Sequence, residues 1–141
     1  MLRLPEKQEK VWELSWKGIS QKAIAEILGI SKQAVSMYLK QAKAKLTEIL
    51  LDIANAADLS VLKIDAQRGI LIGKSKQLNE RVFVFYIPKK GPIVIFEQVI
   101  KQKRIPEDSI IWSVIDFYGE LFRENNPRKI LEKAFQFAEK L

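Results

Sequence analysis

The apolar positions of this chain change period twice, and each change marks a new part of the fold. At the amino end they recur every three or four residues. Pro5 suits the first turn of a helix, Glu6 follows near the positive end of its dipole, and Val11, Leu14 and Ile19 make an inward face with Gly18 as its stop. Ser20 offers a side-chain cap to a second helix with the stripe Ala23, Ile24, Ile27 and Leu28. Gly29 suits the left-handed turn after it, and Ile30 plugs the corner. Ser31 caps a third helix, on which Val35 and Leu39 point back at the second while Lys32, Gln33, Ser36, Met37 and Lys40 face outward. Small Ala25 lets the two helices cross closely. An ordinary αα-hairpin uses similar signals, but this spacing reads as a helix-turn-helix.

Neither proline nor glycine interrupts the third helix before Asp58, so it is expected to run well past its reading turns. Leu39, Ala42, Leu46, Ile49, Ile53 and Ala56 alternate three and four apart, the seam of a heptad repeat. Such a seam needs cover. It either joins two subunits through Leu39, Leu46, Ile49 and Ile53, or packs on the carboxy-terminal region of its own chain.

Near Leu59 the period shortens. VLKID, a turn over AQRG, ILIGKSKQL, a turn at Asn79 and Glu80, RVFVFYIP, a turn at KKGP, and IVIFEQVIK read as four antiparallel strands. Val82, Val84 and Tyr86 alternate with Phe83, Phe85 and Ile87, and both sets are apolar, so this strand is expected to be central and covered on both faces. Helical spacing then returns. Pro106, Glu107 and Asp108 open a helix with the stripe Ile111, Val114, Ile115, Tyr118, Leu121 and Phe122. Asn125, Asn126 and Pro127 break it, and a last helix buries Ile130, Leu131, Ala134, Phe135, Ala138 and Leu141.

The pattern predicts a mainly α protein with an α+β carboxy-terminal part: a trihelical helix-turn-helix, a long connecting helix, and a small antiparallel sheet covered by two helices. The expected divisions are a DNA-binding domain at residues 1–46, a connecting or dimerisation helix at 47–58, and a dimerisation or sensing domain at 59–141. With 141 residues and 48% hydrophobic content, there is enough material for a core.

Charge sharpens this picture. The net charge of +7 is uneven: Ser31 to Leu46 holds four bases and no acid, and Lys63 to Arg104 holds ten bases against three acids. Polyanions are the natural partner of such a distribution. Helix amino termini aim N–H groups at phosphate, lysine neutralises it, and glutamine reads an adenine edge, so Lys32, Gln33, Ser36, Met37 and Lys40 form a candidate reading surface that Lys43 and Lys45 extend. Tyr38 either closes the core or meets a phosphate. Lys63, Arg68, Lys74, Lys76, Arg81, Lys89 and Lys90 cluster at turns and strand ends, where they either grip flanking DNA or guard edge strands. Trp12 and Trp16, one helical turn apart, suit packing or, less commonly, base stacking.

The run Leu4, Gln8, Val11, Leu14, Gly18, Ser20, Ile24, Ala25, Leu28, Gly29, Ser31 and Val35 resembles the helix-turn-helix shared by LuxR-type regulators and sigma factor region four. Its continuation, VSMYLKQAKAKL, is most similar to archaeal Tfx-type DNA-binding proteins, and the resemblance covers residues 4–50. It implies a transcriptional regulator whose helix from Ser31 enters the major groove of double-stranded DNA. Lys32, Gln33, Ser36, Met37 and Lys40 would face the groove, with Ser20, Gln21 and Ser31 near phosphates.

The function expected is therefore a sequence-specific regulator acting as a homodimer on an operator, or alternatively an architectural protein that coats DNA without choosing sequence. The chain has no cysteine and no histidine, which removes thiol and imidazole chemistry and the usual zinc ligand sets. Asp65, Glu80 and Glu97 are the only carboxylates of the sheet region and make a poor metal-dependent nuclease site. No enzyme, metal or cofactor is expected. The aromatics Trp112, Phe117, Tyr118, Phe122, Phe135 and Phe137 suit core packing better than a ligand pocket, so a small-molecule effector has no positive support. No apolar run is long enough to span a membrane, and MLRLPEKQEK lacks the core of a signal peptide, so a cytoplasmic protein is expected.

Overall fold

Capping chemistry sets the first three helices. A computed structural model describes residues 2–102 and 104–141 and gives α1 at Glu6–Trp16, α2 at Gln21–Leu28 and α3 at Lys32–Ala56. Ser20 Oγ accepts from the Ala23 N–H at 3.1 Å, and Ser31 Oγ accepts from the Ala34 N–H at 3.0 Å. Gly29 closes α2 in the left-handed region, at φ +66°, so that the Ile30 N–H reaches the Ala25 carbonyl at 3.0 Å. Val11, Ile24, Val35 and Leu39 fill the small core between these helices, and Tyr38 packs on it. Ile27 departs from expectation. It is 59% exposed, because α1 and α3 meet α2 on the side of Ile24, Ala25 and Leu28, leaving Ile27 beyond the contact.

The chain then folds into a meander of β1 (Leu59–Asp65), β2 (Ile70–Ser75), β3 (Arg81–Ile87) and β4 (Gly91–Phe96), antiparallel and in that spatial order. Two further helices follow, α4 (Ile111–Phe122) and α5 (Pro127–Lys140). They cover one face: Phe83 stacks on Phe135 with ring centroids 4.1 Å apart, and Phe85 meets Tyr118 edge-on at 5.3 Å. The second half of α3 covers the other, where Leu50 and Ala54 cluster with Leu59, Leu71, Val82 and Val84. Every residue of β3 from Val82 to Ile87 is buried, as its doubly apolar alternation requires. Among the described residues no helix is long and apolar enough to cross a membrane.

Three boundaries differ from the sequence reading, and the α3 seam takes the second of the two covers that reading allowed. The seam on α3 is filled inside the chain: Leu39 packs in the trihelical core, Leu46 and Ile49 are buried in the main core, and Ile53 packs beneath the sheet. A helix that must cover a sheet face needs the same three-four spacing as one that joins a twin, so the pattern does not separate them. The division at residue 46 is likewise crossed by one core, in which Leu4, Trp12, Trp16, Ala42 and Leu46 cluster with the strands and the last two helices. Residues Glu97–Lys101 form a 3-10 turn rather than the end of a strand. Helix α4 begins at Ile111, since Pro106 to Asp108 form a turn ahead of it.

Helix α1 is seated on β3 by a buried carboxylate. Glu9 is only 6% exposed. Its Oε2 accepts from the Tyr86 hydroxyl at 2.5 Å, and its Oε1 accepts from Arg3 and from the Lys89 N–H, each at 2.8 Å. Tyr86 in turn accepts from the Leu4 N–H at 2.8 Å. Beside it the Trp12 ring meets Tyr86 edge-on at 5.5 Å and donates its N–H to the Gln67 carbonyl at 3.1 Å. Gly69 allows that approach, since a Cβ there would lie 2.8 Å from the Trp12 ring. Burial, then the Glu9 carboxylate, push the Tyr86 hydroxyl up from 10.0 to about 12.

Replacing Glu9 with alanine is expected to cost about 3 kcal/mol in denaturant unfolding, since three donors lose their acceptor. Tyr86→Phe should cost about 1–3 kcal/mol at neutral pH. Because folding raises the Tyr86 pKa, its contribution is complete below pH 10 and is lost as pH rises towards about 12. The stability gap between wild type and Tyr86→Phe should therefore narrow over that window; a constant gap would remove the hydroxyl as its source.

Candidate nucleic-acid interface

The amino-terminal half of α3 presents one polar arc. Lys32, Gln33, Ser36, Met37 and Lys40 are all exposed, Met37 by 48%. At helical spacing the five fall within about 140° of the helix surface. Val35 and Leu39 lie buried on the other side and hold the helix against α2. Ser20 and Gln21 stand exposed at the start of α2, and Ser31 at the start of α3. The serine oxygens accept the capping bonds, so each hydroxyl keeps its proton to donate elsewhere. Neither α2 nor α3 has an acid in its first turn, whereas α1 has Glu6 and Glu9. The positive ends of both dipoles are therefore left open to an external anion.

The expected residues are not equally placed. Lys43 is half-buried at the margin of the arc, and Lys45 points towards Glu48 at 3.9 Å, so the positive strip thins beyond Lys40. Lys22 belongs with the surface although the apolar pattern does not single it out. It is exposed in the first turn of α2 beside Gln21, and its position at a helix start is the only sequence signal for it. Trp12 and Trp16, at 1% and 8% exposure, are packing residues.

The basic residues of the sheet are largely engaged within the chain. Arg81 pairs with Glu97 and, at 2.8 Å, with Glu139. Lys63 donates to the Glu139 carbonyl at 2.6 Å, Lys76 lies 3.6 Å from Asp58, and the Arg68 guanidinium sits 4.9 Å from the centre of the Trp16 ring. Lys74, Lys89 and Lys90 are exposed. Among the described residues, α2 and α3 thus bring together uncommitted positive charge, two helix termini and hydrogen-bonding side chains. Its chemistry is that of a surface for a phosphate backbone with base edges within reach.

Residues 1–46 match the family model for sigma-70, region 4. No curated protein and no solved structure matches the chain. The sigma region 4 segment is a DNA-binding helix-turn-helix of the type shared with LuxR regulators, which ties the protein to transcription. The match ends at Leu46, within α3 and beyond its exposed arc, so all five residues of that arc fall inside the segment.

Two substitutions separate folding from contact within the matched segment. Ser31→Ala should lower stability by about 0.5–2 kcal/mol through loss of the α3 cap, read by thermal unfolding. Lys40→Ala, on the exposed arc, should leave stability unchanged within about 0.5 kcal/mol. It should weaken binding to all duplexes alike and reduce the slope of log affinity against log salt by about one; an unchanged slope removes Lys40 from the phosphate contacts.

Proposed function

We propose that the protein is a sequence-specific DNA-binding transcriptional regulator that acts as a homodimer on an operator. The observation that carries this reading is the exposed arc of α3 inside the sigma region 4 match. Affinity comes from Lys32, Lys40 and the helix termini at Ser20, Gln21 and Ser31 against phosphates, with Lys43 at the edge. Choice of sequence comes from Gln33 on an adenine edge, Ser36 on either kind of edge, and Met37 against a thymine methyl group. The mechanism is occupancy, with no catalytic step. An architectural DNA-coating role is less well supported, because Arg81, Lys76 and Lys63 of the sheet already have partners.

Since the α3 seam is covered, the dimer needs another surface, and the free edge of β1 supports it. Val61, Leu62 and Ile64 are 43%, 57% and 36% exposed there, on a strand paired on one side alone. Two copies of β1 running antiparallel with Ile64 on the two-fold axis would set Lys63 opposite Asp65 of the partner subunit, a carboxylate that would replace its present bond to the Glu139 carbonyl.

Selection of bound fragments from random duplexes at fixed salt should recover a short inverted repeat. Gln33→Ala should then relax preference at one base pair per half-site by about 1–3 kcal/mol, and an unaltered preference excludes Gln33 from the reading set. In solution the mass should be twice that of one chain, and Ile64→Lys should return it to that of one. A concentration-independent monomer in the wild type overturns the dimer.

A further inference from the structure

Away from the exposed arc of α3, a cavity of about 310 Å³ opens between the 3-10 turn, the neighbouring Gln102, Arg104 and Ile105, and the first turns of α4 and α5. That volume is at the lower end of the range for small-molecule sites. Its walls are apolar, made by Val99, Ile100, Ile105, Trp112, Pro127 and Leu131. The charged residues that line it are Arg104 and Arg128, with no carboxylate among the described lining residues. Trp112 donates its N–H to the Pro106 carbonyl at 2.8 Å, which leaves the ring as hydrocarbon wall. Arg128 donates one bond to the Gln102 carbonyl and retains further donors on its guanidinium. The Arg104 guanidinium also lies 3.9 Å from the exposed Glu107 carboxylate, outside the lining. An apolar chamber with two guanidinium groups and no acid among its described lining residues matches an organic anion with an apolar body, such as a medium-chain or aryl carboxylate.

The two helices that wall the cavity also grip the reader. On α4, Phe117 and Tyr118 each meet Trp16 edge-on at 6.2 Å, and on α5 Phe137 stacks on Trp16 at 5.4 Å. Trp16 Nε1 and Tyr118 Oη are both buried without a hydrogen-bond partner among the described residues. This joint is held by packing, with no directional bond from either group to fix it. We propose that the cavity is an effector site for a small apolar carboxylate, whose seating between Trp112 and Leu131 displaces α4 and α5 against Trp16. The consequence for transcription rests on the DNA-binding reading above; ligand binding and the response of α1 do not.

The test uses the full-length protein without DNA. Calorimetric titration with decanoate and with indole-3-propionate should give saturable binding of at least one of them, with decanol at least fivefold weaker and sulfate alone giving no saturable heat. Arg104→Glu and Arg128→Glu should each weaken the bound carboxylate at least fivefold. Both arginines are exposed, so an unchanged melting profile confirms that the variants fold. Saturating the wild type with that carboxylate should change amide exchange in the α1 turn that carries Trp16. Absence of saturable binding by both probes, equal affinity for decanol, or equal affinity in both variants overturns the site. Binding with unchanged exchange in α1 overturns its role as an effector site. Failure of the protein to select DNA would leave these results standing.

Discussion

A carboxylate buried between a helix and a sheet is stable only if its oxygens are used, and those of Glu9 are. Its partners arrive from three places: the amino-terminal strand of chain at Arg3, the centre of the sheet at Tyr86, and the turn after it at Lys89. In a surroundings of low polarity each of these bonds is stronger than in water, and each lost one leaves a group stranded. The cluster therefore does more than hold α1 in place. Together with the Trp12 N–H on the Gln67 carbonyl, it sets one orientation of α1 on β3.

Because α1 is fixed, the exposed arc of α3 is fixed too. Helix α3 packs on α1 with its first half and on the sheet with its second, without a break between them. A straight helix of that length spans about 37 Å. The polar arc at one end and the apolar face at the other are thus rigidly related. The sheet, covered by α3 on one face and by α4 and α5 on the other, is the platform from which α3 projects.

Much of this was legible in local sequence. Ser20, Gly29 and Ser31 act on neighbours within a few residues, so their roles follow from spacing alone, and the doubly apolar β3 announces two covered faces. What local pattern lacks is the identity of the cover. Leu46 and Ile49 have the spacing of a coiled coil, yet the partner is their own sheet. Glu9 reads as an ordinary first-turn acid because Tyr86 lies 77 residues away. The bases of the sheet look like a DNA grip until Glu97 and Glu139 are brought beside Arg81. The exposed arc on α3 was the easiest part of the candidate site to find, since a surface defined by what it does not bury needs only its own helix. The cavity was hidden because Trp112 reads as one more core aromatic and Leu131 belongs to the buried stripe of α5.

The shared core bears on how such a protein can evolve. A helix-turn-helix that folds alone can be exchanged between proteins at its boundary, carrying its specificity with it. Here a cut at Leu46 would carry away Trp12 and Trp16, whose rings are covered by β3, α4 and α5, together with Ala42 of the same core, and would leave the sheet and the rest of α3 without them. Neither fragment would keep its apolar faces out of water. Helices α1 to α3 and their platform therefore share one core, and the exposed arc of α3 is the part of that segment that can change by substitution without disturbing it.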